Sequence, residues 1–228
     1  MKSRTENARE ALMKKGQATE SASPTRKERE RARHRREILD TAEKLFAEKG
    51  FHGATTEEIA RRAEFAVGTL YKFFSSKEEI YTAVLMEGVR LRLEAIRRLC
   101  NDPDLTPTQV LDRYFDGKAL FATERADFLK VLLREHFGGR PMLSPESQAG
   151  VLAAFDEGTL LLAGVVEKGV RRGEFRKLPA RETILALEGI TSMFLRDCLH
   201  ECPDTTFEQR VGLVKSIFFH GILTPPEA

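Results

Sequence analysis

At 228 residues, with a formal net charge of +2, 41% hydrophobic and 32% charged residues, the chain has the composition of an ordinary globular protein of one or two domains. No run approaches the roughly 18 consecutive apolar residues of a membrane span. The basic N-terminus leads into no apolar core of a secretory signal, so a cytoplasmic protein without a membrane partner is expected. Three cysteines, Cys100, Cys198 and Cys202, are too few and too odd in number for a disulfide framework.

Charge is unevenly placed. Residues 1–37 hold twelve Lys/Arg against six Glu, which leaves the rest of the chain net acidic. A basic arm on an acidic body points to a polyanionic partner for the arm. Residues 1–25 are polar and contain Pro24, and they read as a flexible basic tail with at most a transient turn at 8–15. A first helix is expected over 29–49, where Ile38, Ala42, Leu45 and Phe46 share a face and Gly50 is the stop. A second begins after Thr55, which forms a capping-box pattern with Glu58 and is followed by Ile59, Ala60 and Ala63 on one face. After a break at Glu64-Phe65-Ala66, a short helix covers 67–74, and Ser76 with Glu79 opens a long helix to about 100. Asp102-Pro103 and Thr106-Pro107 interrupt the chain. Further helices follow at 107–123, 125–137, 145–172, 180–201 and 206–223, with Ser144-Pro145 and a Thr205/Glu208 box as starts and Gly138-Gly139 and Gly173 as stops. The pattern is all-α throughout.

The stretch 55–74 reads helix, tight turn, helix, with small Ala60 and Ala63 where two helices cross closely, the geometry of a helix-turn-helix. Phe65, Leu70 and Phe74 are placed to plug it against the first helix. The other face of the short helix carries no acid in a Glu-rich chain, as a surface approaching phosphate requires. Arg35 and Arg36, at the end of the basic run, are candidates for backbone contact on charge density alone.

These residues resemble the TetR family of one-component regulators. The likeness rests on Ile38-Leu39-Asp40-Thr41-Ala42, on Leu45 through Phe51, on Thr55-Thr56 with Ile59-Ala60 and Ala63, and on Gly68-Thr69-Leu70-Tyr71-Lys72-Phe73-Phe74 with Lys77-Glu78. Two positions depart from the family pattern. Glu64 stands where the family has a turn glycine and would need a left-handed backbone, and Ala66 stands where a serine often caps the recognition helix.

The resemblance implies a division into the tail 1–25, a helix-turn-helix domain 26–78, and a helical domain 79–228 that binds an effector and dimerises. It implies phosphate contacts from Thr55, Thr56, Tyr71 and Lys77. Val67, Thr69, Lys72 and Phe73 would face base edges or thymine methyls, and Gly68 would allow close backbone approach. For the effector, an apolar or aromatic small molecule is expected among Tyr114, Phe115, Phe121, Phe128, Leu132 and Phe155, all of which would serve equally well as core. Tyr114, Arg134, Glu135 and His136 are the polar groups available to orient it. The last two helices are apolar on more than one face, and Ile184, Leu187, Phe194, Val211, Val214 and Phe218 are the expected interface of a homodimer.

The expected function is therefore a TetR-like regulator, a repressor that binds a palindromic double-stranded DNA operator as a dimer and is released by its ligand. No cofactor and no metal site are expected: Cys198 and Cys202 share a helix face, but His200 does not converge with them. No P-loop, GxSxG or HExxH occurs, so an enzyme is not expected. Two rival readings are an enzyme or carrier that uses a helical cavity without specific DNA binding, and a nonspecific basic protein of DNA or membrane surfaces.

Overall fold

The computed structural model describes residues 25–137, 142–200 and 206–223. The expectations for the tail 1–24, the Gly138-Gly139 stop, the Thr205 cap and the Cys198–Cys202 pair lie outside the described residues or side chains. Nine helices are present among the described residues, and the only β-pairing there is an isolated bridge between Phe175 and Leu223.

The described residues fall into two compact units, which divide between Glu37 and Ile38. The described part of the first is the opening of α1 (Arg26–Gly53). That helix starts at Arg26 rather than at 29, because Thr25 and Glu28 cap one another. Thr25 donates to the Glu28 carboxylate from its backbone N (2.7 Å) and its hydroxyl (2.9 Å), and Glu28 N donates back to Thr25 Oγ1 (3.3 Å). The T-x-x-E pattern was present in the sequence. Arg26, Lys27, Arg29, Arg31, Arg33, Arg35 and Arg36 are all exposed, and Arg33 pairs with Glu37 at 3.6 Å.

In the second unit the helical run of α1 stops where expected, since Gly50 has φ 71° and ψ 176°. Next come α2 (Thr56–Arg62), α3 (Val67–Leu70), which continues as a turn to Phe74, and α4 (Lys77–Cys100). Then follow α5 (Pro107–Glu124), α6 (Ala126–Phe137), α7 (Pro145–Arg171), α8 (Ala180–His200) and α9 (Phe207–Ile222). The reciprocal capping box of α9 is Thr206 with Gln209, one residue later than the expected Thr205/Glu208. At α2 and α4 only half of each expected box forms. Thr55 and Ser76 accept from the N–H groups of Glu58 and Glu79, but the Glu58 carboxylate goes to Lys49 and Arg62, and that of Glu79 goes to Ser75.

One buried cluster runs from Ile38, Phe46, Leu70 and Phe74 through Ile80, Leu85 and Val89 to Phe128 and Val131, so the helix-turn-helix shares a continuous core with the first turns of α4 and with α6. A second cluster joins the far end of α4 to α5, α7, α8 and α9 through Ile96, Leu111, Phe115, Leu162, Val166, Ile184 and Val214. α7 is long and apolar enough to cross a membrane by composition, with an 18-residue window of mean hydropathy 1.6. Here it packs along α4 and α8 instead.

Candidate nucleic-acid interface

The turn between α2 and α3 is built on the two residues that depart from the family pattern. Glu64 has φ +60°, the left-handed conformation usually left to glycine. Ala66 occupies the N-cap of α3 without a side-chain hydrogen bond. Core residues hold the turn in place: Phe65 packs half-buried, while Leu70 (0% exposed) and Phe74 (2%) anchor α3 and its extension against α1.

This anchoring sorts the residues of α3. Gly68, Tyr71 and Lys72 are exposed, and Thr69 is half-exposed. Val67 and Phe73 are half-buried and pack against the core, so a large part of each side chain is committed to holding the helix. Tyr71 Oη lies 3.2 Å from Thr56 Oγ1, which joins the start of α2 to the end of α3. An open groove of about 380 Å³ is lined by Thr55, Thr56, Tyr71, Ser75, Ser76 and Lys77, and also by Glu57 and Glu78. Hydroxyls and a cation thus share one opening on the side that presents Tyr71. Thr56 Oγ1 also reaches the Glu57 carboxylate at 3.3 Å.

Lys77 does something the sequence did not announce. Its Nζ donates to the carbonyls of Phe51 and Ala54 (2.9 Å each) and lies 4.4 Å above the centre of the Phe51 ring. Those carbonyls belong to the chain leaving α1, where acceptors lack helical partners. Two of the three ammonium N–H groups are therefore occupied within the chain.

The six expected effector residues do not line one cavity. Phe128 is fully buried in the first cluster, with Phe121, Leu132 and Phe155 packed against it. Phe115 is fully buried in the second cluster, against Phe218 and Phe219. Arg134 and Glu135 are committed as well. Arg134 donates to the carbonyls of Phe46 (2.9 Å) and Ala47 (2.7 Å), and Glu135 accepts from Tyr81 Oη and from the N–H groups of Met142 and Leu143. Burial, with Glu135 alongside, pushes the Tyr81 hydroxyl well above its ordinary range.

Tyr114 belongs to an interior polar cluster made by four helices. Arg92 (α4) donates from Nη2 to Tyr114 Oη and to Glu188 (3.0 Å each), and its guanidinium lies 4.8 Å from the centre of the Phe155 ring (α7). Tyr114 Oη donates to Glu188 on α8. Lys118, one turn after Tyr114 on α5, donates to Glu188 (3.1 Å) and to Thr191 Oγ1 (2.9 Å). Burial alone would raise the Glu188 carboxyl, but Lys118, Arg92 and the Tyr114 hydroxyl outweigh it and hold the group at about 2. Burial pulls the Lys118 ammonium below its ordinary range in spite of Glu188.

The expected interface residues are largely buried within the protomer. Ile184, Leu187, Val211 and Val214 are at most 3% exposed and form the protomer's own core, with Phe194 and Phe218 half-buried against it. A helical hairpin must first bury the stripe that faces its own domain, and these residues form that stripe. The apolar surface left over consists of Leu185, Ile190, Met193, Leu213 and Ile217, each more than 40% exposed, beside an open groove of about 270 Å³ between α8 and α9.

Residues 38–84 match the family model of bacterial regulatory proteins of the tetR family. The chain is 29% identical over 220 residues to the HTH-type transcriptional regulator RutR of Escherichia coli K12, covering 90% of this chain and 98% of that one. It is 38% identical over 68 residues to the HTH-type transcriptional activator FasR of Mycolicibacterium smegmatis, covering 30% of this chain and 31% of that one. Among solved structures, a transcriptional regulator from Saccharomonospora viridis in complex with choline superposes with TM-score 0.75 at 21% identity, covering 85% of this chain and 99% of that one. The TetR-family regulator PfmR of Thermus thermophilus gives 0.67 at 22%, covering 80% and 97%.

Proposed function

We propose, from the premise that this chain is a TetR-family transcriptional regulator and not an enzyme, that it acts in the cytoplasm as a ligand-released repressor. Two copies, paired through the exposed face of α8 and α9, place two α3 helices on the half-sites of a palindromic operator. Thr55, Thr56, Tyr71 and the remaining Lys77 donor take backbone phosphates. Thr69 and Lys72 read base edges, Gly68 allows close approach, and Val67 and Phe73 offer their uncovered edges to thymine methyls. Arg35 and Arg36 add charge along the backbone.

The single observation that carries this reading is the opening where Thr56, Tyr71 and Lys77 come together beside an α3 whose exposed side bears no acid. A cavity-based enzyme or carrier has no use for that arrangement. A small effector that prefers a different spacing of the two heads lowers operator affinity by its own differential affinity for the two states. The path between them is α4, which leaves the helix-turn-helix core and carries Arg92 into the interior cluster. An effector reaching that cluster meets charged groups as well as the expected apolar ones.

The test is salt-dependent binding of the protein to the DNA upstream of its own gene, against a scrambled duplex. Selective binding is expected, weakened about 10-fold or more by Tyr71→Phe at unchanged folding stability, as the loss of a charge-assisted phosphate contact implies. Equal, weak binding to both duplexes would overturn the reading and favour a nonspecific basic protein.

A further inference from the structure

The interior cluster is not balanced. Arg92 and Lys118 bring two cations to a single carboxylate, Glu188, and the three side chains are only 16%, 11% and 19% exposed. Stability alone does not explain such a surplus. Even a matched buried pair roughly breaks even against apolar packing, and a second buried cation adds desolvation with no carboxylate of its own.

The donors are also unevenly used. Arg92 makes its hydrogen bonds within the chain through Nη2 alone, so three of the five N–H groups of a guanidinium make none among the described residues. Its Nη1 faces α7 at Gly158, where a Cβ would stand 3.5 Å from it, and Phe155 supplies a flat apolar wall on the guanidinium face. Lys118 keeps a third N–H beyond those it gives to Glu188 and Thr191.

We propose that Arg92 and Lys118 form the recognition site for the carboxylate of a small organic anion, which acts as the effector by competing with Glu188 for Arg92. The proposal rests on the regulator reading above, to which it adds the chemical class of the ligand. The cluster already shows the chemistry it selects, since Glu188 is a carboxylate held by these same two cations. A second carboxylate brings the site to neutrality, with Phe155 against the body of the ligand. Competition has a mechanical consequence. The Arg92–Glu188 pair ties α4, which carries the DNA-reading head, to α8 of the exposed hairpin. Loosening that tie frees α4 to shift relative to α8.

Thermal unfolding of the full chain without DNA tests this. Acetate, benzoate and hexanoate are compared with acetamide, benzamide and hexanamide at constant ionic strength. At ten times its Kd, a bound carboxylate raises Tm by roughly 3–6 °C. At least one carboxylate is expected to do so while its amide does not, and Arg92→Gln and Lys118→Gln are each expected to abolish the shift. The wild-type contrast needs no variant, so poor folding of either one leaves the test intact. No carboxylate shift, an equal shift with the amides, or a shift that survives both substitutions would overturn the proposal. The same carboxylate is expected to weaken binding to the upstream duplex. If that duplex is not bound even without carboxylate, the regulator reading falls, while the thermal comparison still judges the anion site.

Discussion

Glu64 and Ala66 show how a turn can keep its shape with residues poorly suited to it. A non-glycine residue in the left-handed region costs about 1–2 kcal/mol, and an alanine at an N-cap forgoes roughly 1 kcal/mol that a serine would supply. The conformation persists because Leu70 and Phe74 are locked into the core on one side and Ile59 and Ala60 on the other. Glu64 is exposed, so replacing it removes little packing. The double substitution Glu64→Gly with Ala66→Ser is therefore expected to stabilise the protein by roughly 1–3 kcal/mol, raising Tm by about 2–12 °C at this chain length. A calorimetric scan of each single and the double variant checks it, and an unchanged or lowered Tm for Glu64→Gly would mean that the strain is absorbed elsewhere. Lys77 illustrates the reverse case at the same scale. The family resemblance implies a phosphate anchor at Lys77, yet the side chain ties down the chain leaving α1. Loss of DNA affinity on removing it would mix two causes, which is why Tyr71→Phe is the cleaner probe.

Between elements, α6 is fastened to the head at several points. Arg125, immediately before α6, pairs with Glu43 at 2.6 Å, Arg134 holds the carbonyls of Phe46 and Ala47 in α1, and Phe128 lies directly on the backbone of α4 at Gly88. Burial raises the Glu43 carboxyl even with Arg125 beside it, so this pair sits where ionisation is resisted. Gly88 sets two effects in opposition. Alanine there gains about 1 kcal/mol of helix propensity, but its Cβ would fall 2.1 Å from Phe128 Cε2, a contact that forces the ring or the helix to move. Overpacking of this kind costs about 1–3 kcal/mol, so the clash wins or cancels the gain. Gly88→Ala is expected to lower stability in urea unfolding, and Phe128→Leu in the same chain is expected to restore part of the loss by vacating the position. A clear stabilisation by Gly88→Ala alone would sink this account. Gly88 also marks the limit of what was legible. Most helix starts and stops among the described residues follow from periodicity, prolines, glycines and caps, all of them local signals, although α3 is shorter than expected and the α9 box falls one residue later. So do the core plug of Leu70 and Phe74 and the left-handed turn at Glu64. What a sequence does not carry is which residue lies across from which. The Phe128–Gly88 approach, the Lys77 tie and the Arg92–Glu188–Lys118 cluster each join residues between 23 and 96 positions apart, and nothing local distinguishes such partners from ordinary surface charge.

For the whole molecule, the same absence of long-range information leaves open which stripe of the last two helices is buried in the protomer. Both stripes of α8 and α9 are apolar, and sequence alone cannot say which one faces inward. The fold assigns Ile184, Leu187, Val211 and Val214 to the interior and leaves Ile190, Met193, Leu213 and Ile217 facing out at 44–57% exposure. A contiguous face of that kind is uncommon on a monomer, and in the pairing proposed above a second copy of the same hairpin would cover it as a four-helix bundle. The two stripes therefore predict opposite behaviour. Leu187→Ala opens a cavity in the core and is expected to cost about 2–5 kcal/mol while the protein still assembles. Ile217→Glu is expected to leave the fold intact but, in the proposed pairing, to place a carboxylate and its image from the second copy at the centre of the bundle. In light scattering at micromolar concentration, the wild type is expected at twice the 25.8 kDa chain mass and Ile217→Glu at the chain mass itself. Operator binding should fall with it, because one recognition helix spans only a few base pairs and selectivity requires two held together. If Ile217→Glu remained dimeric, the paired surface would have to lie elsewhere, and the exposed Leu152 and Leu160 on α7 would be the next residues to change.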